Sequence, residues 1–183
     1  DGTAAYLEAA GFLCRMGRGV EPVLSFLEEW PSAAKKLGEP ALPMVMEFIH
    51  KMYKSPNGKA IMPFLQTLAA TARKLHSQKR MQEYMDLALD VMNRTTGSIH
   101  GIHTTFPSPG LPSFFAQTPY LLSQIPLQGL RNWVEYGIRN YGDHPERQID
   151  YFSLQSADSK AVMQRERHGT LLVDNERKLD MYL

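Results

Sequence analysis

His100 and His103 are the residues whose type and spacing come closest to a metal site, in the segment Ser98-Ile-His-Gly-Ile-His103. A structural zinc ion needs about four protein ligands, and a catalytic one about three and a water molecule. No cysteine pair, Asp or Glu stands close to the two histidines in the sequence. The spacing therefore favours an ordinary loop role for both, and we expect no metal ion and no cofactor.

Catalytic signatures are not found in the sequence. It contains no HExxH, GxSxG, GxGxxG or Walker-type phosphate loop, and no serine stands in a nucleophile elbow. Arg15 could lower the pKa of the neighbouring thiol of Cys14, but a buried structural thiol is the simpler interpretation. A single cysteine excludes an intrachain disulfide framework and fits a reducing compartment. The sequence predicts a protein that is not an enzyme.

Two basic clusters could contact phosphate groups, one from Arg73 to Arg80 and one from Arg165 to His168. Nucleic-acid binding would need such groups on one continuous surface. Acidic residues are interleaved with both clusters, and the net charge of the chain is only +1. No overall field therefore attracts nucleic acid or an anionic membrane. A solvated face of mixed charge is the simpler interpretation, and a nucleic-acid-binding helical-repeat protein stays open as the alternative.

Length and composition fit one domain or one compact array of helices. The chain has 183 residues, of which 43% are hydrophobic and 21% charged. No apolar run approaches the roughly 18 residues of a membrane span, and no secretory signal opens the chain, so we expect a cytoplasmic protein. The start at Asp1 and the stop at Leu183, inside an apparent helix, predict a fragment of a longer polypeptide.

Apolar residues recur at helical spacing along almost the whole chain, and no alternation of period two is present. Pro31 and Gly38 are expected to break or bend the chain, and Gly97 to close the helix before it. In residue numbers, the predicted helices cover about 6–16, 20–30, 42–52, 61–75, 81–92, 129–141, 146–154, 158–168 and 171 onward.

Residues 23–37, VLSFLEEWPSAAKKL, and residues 61–75, IMPFLQTLAATARKL, resemble each other. Their matches include Phe26 with Phe64, and the following helices match after one inserted residue. The period of about 38 to 39 residues is close to that of HEAT or armadillo units, whose helix pairs bury their apolar faces by stacking. Chance similarity between two amphipathic helices is the competing interpretation. We predict an all-α, HEAT/armadillo-like helical repeat array.

The predicted array divides into helical-pair repeats at 1–97, a Pro-rich connection at 98–126 and C-terminal helical pairs at 127–183, within one continuous domain. The connection contains five prolines, and we expect short helices near 113–117 and 120–124. It is too apolar for a free linker, so its aromatic residues must pack across the array or contact a partner. Arginine is also favoured at interfaces. The candidate protein-binding residues are Phe106, Phe114, Phe115, Tyr120, Arg165 and Arg167.

The predicted helix from 129 to 141 should form part of the core, because its apolar residues share one face with Leu127 just before it. Gly137 leaves room there for a neighbouring backbone to come close. A second helix, which carries Tyr151 and Phe152, follows after a short break. The side chains expected to be largely buried where the two helices meet are Leu130, Trp133, Val134, Ile138 and Phe152.

The C-terminal third also resembles a known family. Its motifs are Gly129-Leu-Arg-Asn-Trp133-Val-Glu-Tyr-Gly137, Tyr151-Phe152-Ser-Leu-Gln-Ser156-Ala-Asp-Ser159, Arg165-Glu-Arg-His-Gly169 and Leu179-Asp-Met-Tyr182-Leu183. Together they resemble the segment that precedes the von Willebrand factor A domain in NorD-type proteins. These are the nitric oxide reductase activation proteins, similar to the CbbO proteins that accompany Rubisco activases. The resemblance covers residues 129–183.

This resemblance implies a helical region ahead of a metal-binding A domain. It further implies an adaptor that works with a MoxR-type AAA+ ATPase, a separate polypeptide, to remodel or activate a metalloenzyme. The A domain's motif, Asp-x-Ser-x-Ser, is not in this sequence, and Asp158-Ser159 does not fit it. A metal-dependent activity is therefore not carried over. The implied partners are the ATPase, the client metalloenzyme and the A domain of the same chain.

Overall fold

The computed structural model describes residues 11, 14–15, 20–37, 41–95 and 107–180. Within these residues helix accounts for 88% and no strand is present, which confirms the all-α prediction. A 3-10 helix, Pro56–Ala60, lies between the second and third α-helices. Between residues 20 and 180, the described part of the chain contains eight α-helices: α1 (Val20–Leu37), α2 (Ala41–Lys54), α3 (Ile61–Leu75), α4 (Gln78–Thr95), α5 (Leu111–Gln124), α6 (Leu127–Tyr141), α7 (Pro145–Phe152) and α8 (Ala157–Asp180).

Most helices pack against the helix two places along the chain. Helix α1 packs on α3, and α3 packs on α5. Helix α2 packs on α4, α4 on α6 and α6 on α8, while α7 contacts both α5 and α6. The packing therefore follows two rows of helices, one odd-numbered and one even-numbered, and each amphipathic helix buries its apolar face between neighbours of both rows.

Aromatic rings run through the middle of the core and connect the two rows. Consecutive ring centroids are 5.0 to 6.0 Å apart, within the range of favourable aromatic contacts. All of these rings are buried. In order of contact they are Phe48, Phe64, Phe115, Phe114, Phe152 and Trp133.

The core residues predicted for the C-terminal helices are confirmed. Trp133 lies where α6 meets α7 and α8, and its indole N–H donates a hydrogen bond to the backbone oxygen of Ser159 at 3.0 Å. Its ring stacks on Tyr151 with 4.8 Å between centroids. The buried set is Leu130, Trp133, Val134, Ile138 and Phe152, each at most 7% exposed.

Gly137 allows α7 to approach α6 more closely than any other residue would. A Cβ atom at this position would lie 2.4 Å from Cε1 and 2.5 Å from Cδ1 of Tyr151. The Tyr151 hydroxyl donates a hydrogen bond to the backbone oxygen of Trp133, one turn earlier in α6. Burial raises the pKa of Tyr151 well above its usual range. A close approach at Gly137 is therefore present, but the approaching group is a tyrosine ring and not the backbone that the sequence suggested.

The connection contains one continuous helix, α5, where two short helices were predicted. Pro119 lies inside α5 and has no N–H to donate to the Phe115 carbonyl, four residues earlier. The Thr67 hydroxyl of α3 lies 3.0 Å from that carbonyl oxygen and 2.8 Å from the oxygen of Pro63. A side chain from a neighbouring helix thus partly compensates the hydrogen bond that the proline removes.

Two other predicted helix ends are also wrong. Helix α1 continues through Pro31 to Leu37, because Trp30 and Ala33 on either side of the proline are buried, and their burial offsets the proline's cost. Helix α8 continues through Gly169, where the sequence suggested a break between two helices. A glycine lowers helix propensity without preventing a helix.

Thr71 and Thr67 lie one turn apart in α3 and should respond oppositely to loss of their hydroxyl groups. The Thr71 hydroxyl is buried and has no hydrogen-bond partner in the described part of the chain. Thr71→Val should therefore raise the free energy of unfolding by about 1 kcal/mol in urea melts. Thr67→Val should lower it by about 1 kcal/mol, since its hydroxyl contacts two carbonyls. Shifts of the same sign in both variants would contradict this account.

A buried polar network fixes the chain just before α5. The Ser108 N–H donates to Oδ1 of Asn57 at 2.7 Å, and the Gly110 N–H donates to Oε1 of Gln148 at 2.8 Å. The hydroxyl of Thr95 is hydrogen-bonded to that of Ser108. These contacts join the 3-10 helix, the end of α4 and α7. The described part of the Pro-rich connection therefore packs across the other helices, as expected.

Candidate protein-binding groove

Phe114 and Phe115 were predicted as partner contacts, and the structure contradicts both. Each is fully buried, at 0% exposure. Phe115 faces Phe48 and Phe64, while Phe114 faces Tyr84 on the other side. Because α5 has neighbours on both of these sides, two consecutive phenylalanines can both point into the core. Neither could contact a partner without unfolding α5.

The remaining predicted contact residues divide into three that are exposed and one that is not described. Tyr120 is 49% exposed on α5, and Arg165 and Arg167 are exposed on α8. Phe106 lies outside the described residues, as do the metal candidates His100 and His103. Of the predicted set, Tyr120 is the best candidate for a partner contact, because its large aromatic ring is exposed at the surface.

Tyr120 stands at the edge of a groove between α5 and α8, with a volume of about 480 Å³. Helix α5, the turn between α7 and α8, and α8 each contribute lining residues, and we call the apolar pair Leu154 and Met163 the floor of the groove. This size is within the range of sites that accept a few side chains or a small ligand. The lining residues are Gln117, Tyr120, Ser153, Leu154, Gln155, Lys160, Met163 and Gln164. We call this site the α5–α8 groove.

Helix α5 contributes an uncharged surface to the groove. No residue from Leu111 to Gln124 is charged, although Ala116 and Tyr120 are exposed and Gln117 is half-buried. The outward face of a surface helix ordinarily carries charged side chains. An exposed face without charge is easier to desolvate, which favours contact with another molecule.

Leu154 forms part of the floor in a backbone conformation that leucine rarely adopts. Its φ is 60°, in the left-handed region that usually holds glycine at a helix C-terminus. Backbone hydrogen bonds from Gln155 and Ser156 to the oxygen of Asp150 close this turn. A non-glycine residue there costs about 1 kcal/mol. In this conformation the half-buried leucine side chain lines the α5–α8 groove, whereas glycine at the same position would leave the floor without a side chain.

Several polar side chains that line the groove are able to form hydrogen bonds with a ligand. The side chains of Gln117, Gln164 and Lys160 make no hydrogen bond or ion pair with any residue that the structure describes. Gln155 makes only a long contact, 3.5 Å from its Nε2 to the oxygen of Ser153. Side-chain amides both donate and accept hydrogen bonds. The groove therefore offers several polar groups around an apolar floor.

A second cavity, of about 280 Å³, lies between α4 and α6, and its charged groups are largely paired. Arg94 binds both carboxylate oxygens of Glu135, at 2.6 and 3.0 Å, and reaches Asp90 at 3.2 Å. The hydrogen bonds from Arg94 lower the pKa of Glu135. Asp86 accepts a hydrogen bond from Gln82 at 2.9 Å. This arrangement joins two helices and leaves less capacity for a ligand than the α5–α8 groove.

Cys14, predicted to be a buried thiol, is exposed, and so is Arg15 beside it. The apolar spacing of the neighbouring residues did not determine which face of the helix this small residue occupies. In the part of the chain that the structure covers, no three His, Cys, Asp or Glu side chains come together as a metal site would require. No helix within that part is long and apolar enough to cross a membrane.

Comparison with protein-family models, curated proteins and solved structures gave no match. The groove therefore has to be interpreted from its own residues. Sequence reasoning identified Tyr120 but missed Leu154 and Lys160. The lack of charge across α5 was readable in the sequence and could have indicated this surface.

Proposed function

We propose that this chain is the protein-binding helical region of an adaptor, built as a HEAT-like array of helix pairs. The alternate packing of the helices supports the array, as stacked helix pairs bury their apolar faces in this way. The repeat matches also support it, since Phe26 and Phe64 are both buried and belong to helices that pack on each other. The adaptor belongs to an activator protein that works in the cytoplasm with a MoxR-type AAA+ ATPase on a client metalloenzyme.

Four of the residues that carry the family resemblance lie in the core of the α6–α7 pair. Trp133, Gly137, Tyr151 and Phe152 all contact one another across the two helices or within α7. These buried residues stabilise the packing of the two helices and are not exposed to a partner. The partner contacts of the adaptor therefore come from other residues, on the surface of the same helices.

The α5–α8 groove is the observation that carries the protein-binding proposal. It combines an exposed tyrosine, an apolar floor and unpaired polar groups, which is the composition of a protein-contact site. Its lining contains no histidine or carboxylate to act as a general base. We therefore propose a site that binds protein and catalyses nothing.

The proposal predicts that Tyr120→Ala in the full-length protein weakens capture of the ATPase or the client from lysate. A tyrosine anchor in a protein contact is worth about 2 kcal/mol, so recovery at limiting concentration should fall by an order of magnitude or more. Tyr53→Ala is the matched control, since Tyr53 is 42% exposed and lies on α2. Deleting the connection would be uninformative, because it would remove Phe114 and Phe115 from the core.

Equal recovery by both variants would move the contact surface away from the groove. Failure to recover any AAA+ ATPase or client with the unmodified protein would contradict the adaptor proposal. Retardation of duplex DNA with a steep dependence on salt would replace it by the nucleic-acid alternative. Both basic clusters contain a cation close to a carboxylate, Arg73 at 3.9 Å from Glu29 and Arg165 at 3.8 Å from Glu166.

A further inference from the structure

We infer that the α5–α8 groove binds an extended, acidic peptide segment of the partner protein, with an apolar side chain seated on Leu154 and Met163. This inference rests on the proposed protein-binding function and adds the chemistry of the bound segment. Three features carry it: the charge along α8, the unpaired amides around the groove and the apolar floor.

The groove carries positive charge, and Asp158 and Glu166 of α8 point away from it. Lys160 is the only charged residue in the lining. Arg167, seven residues later, falls within roughly 20° of Lys160 around the helix axis at 3.6 residues a turn, so both cations share one face. Asp158 accepts a hydrogen bond from Tyr141, and Glu166 accepts one from Asn132, so both acids face α6. A carboxylate on the bound segment is the complementary group.

The amides around the groove favour an extended segment over a helical one. A helix satisfies its own backbone N–H and C=O groups, apart from those at its ends. An extended segment keeps these groups free, and side-chain amides can pair with both kinds. Gln117 on α5, Gln164 on α8 and Gln155 in the turn between these two sides all line the groove. A segment bound in the groove can therefore pair its peptide groups with amides contributed by different elements.

The floor provides the apolar contact. Met163 is only 6% exposed and Leu154 is half-buried, so both are held in place by the core beneath them. Methionine adapts its shape to different partners at little cost. The ring of Tyr120 closes one side of the groove. An aliphatic or aromatic side chain of the bound segment would cover this floor and exclude water from it.

The test is a selection from a random peptide-display library on the immobilised 183-residue chain. It is followed by fluorescence anisotropy with the selected peptides. We expect the peptides to be enriched in Asp or Glu next to an apolar residue. Lys160→Glu should weaken their binding by about tenfold or more, since it places a like charge in the groove. Lys59→Glu makes the same charge change at an exposed position of the 3-10 helix, and should alter the affinity by less than about twofold.

Two further measurements separate a binding role from a structural one. A peptide whose acidic residue is replaced by Lys should bind Lys160→Glu better than it binds the original chain. Leu154→Gly should leave stability nearly unchanged, because relief of the strain at a φ of 60° offsets the lost packing of a half-buried side chain, yet weaken peptide binding by about fivefold or more. A merely structural Leu154 would show the reverse pattern, with lower stability and unchanged affinity.

Several results would overturn the inference. They are selected peptides without acidic residues, equal losses in Lys160→Glu and Lys59→Glu, or no peptide tighter than about 100 µM. A concentration-dependent dimer that Lys160→Glu dissociates would instead identify a second copy of the chain as the occupant. If ATPase or client capture survives while peptide binding ignores Tyr120 and Lys160, the inference fails and the proposed function stands. If neither peptide nor protein is captured, both fail.

Discussion

Trp133→Ala should lower the free energy of unfolding by about 3–5 kcal/mol, the range for removing a fully buried tryptophan. The side chain is 0% exposed and its ring contacts both Tyr151 and Phe152. Its removal leaves a cavity where α6, α7 and α8 meet, and leaves the oxygen of Ser159 without its indole donor. Chemical denaturation followed by circular dichroism measures the loss. A change this large is a substantial fraction of the stability of an ordinary domain.

Trp133→Phe separates packing from hydrogen bonding at the same position. Phenylalanine keeps most of the aromatic contact but cannot donate to Ser159, so we expect a loss of about 1–3 kcal/mol. Tyr120→Ala provides a surface comparison and should cost less than about 1 kcal/mol, because that ring is about half exposed. A loss below about 1 kcal/mol for Trp133→Ala would contradict the packing described for α6 and α7.

Gly137→Ala should lower the free energy of unfolding by about 3 kcal/mol, although alanine is the better helix former. The new methyl group would meet the ring of Tyr151 at 2.4 Å, closer than any real contact. That ring cannot yield easily, since it stacks on Trp133 and Tyr136 and its hydroxyl is hydrogen-bonded to Trp133. Overpacking and loss of this hydrogen bond together outweigh the gain of about 1 kcal/mol in helix propensity.

Gly169→Ala is the matched control for the glycine prediction. Gly169 is exposed inside α8, and a Cβ atom there would meet nothing within 4 Å. The substitution should therefore raise stability by up to about 1 kcal/mol through helix propensity alone. Urea denaturation of the two variants under the same conditions compares their free energies of unfolding. A neutral or stabilising Gly137→Ala would show that α7 can move away from α6 without loss of the fold.

Local periodicity predicted the helices well where packing agrees with it. Helix α3 begins and ends at the predicted residues, 61 and 75, and the buried face of α6 matches its predicted apolar positions. The environment of Pro119 could not be predicted from local periodicity. The hydroxyl that contacts the orphaned carbonyl belongs to Thr67, 48 residues before Phe115 and on a different helix. No local pattern reports so distant a partner.

The candidate site was predictable only in part. Tyr120 stood out as an aromatic residue in a proline-rich segment, but Phe114 and Phe115 carried the same signal and are core residues. Whether an aromatic side chain points inward depends on how many neighbours its helix has, which is a tertiary property. The left-handed turn at Leu154 is likewise invisible in the sequence, because leucine gives no sign of a positive φ.

The hydrogen-bond network around Ser108 affects how cooperatively the protein unfolds. Arrays of stacked helix pairs can open one unit at a time, because each unit contacts only its neighbours. Here Ser108 and Gly110 are bonded to Asn57, before α3, and to Gln148, in α7. Opening either side would leave buried polar groups of the other without partners, at about 1–3 kcal/mol each. The network thereby couples the helices on both sides of the connection, and we expect them to unfold as one cooperative unit.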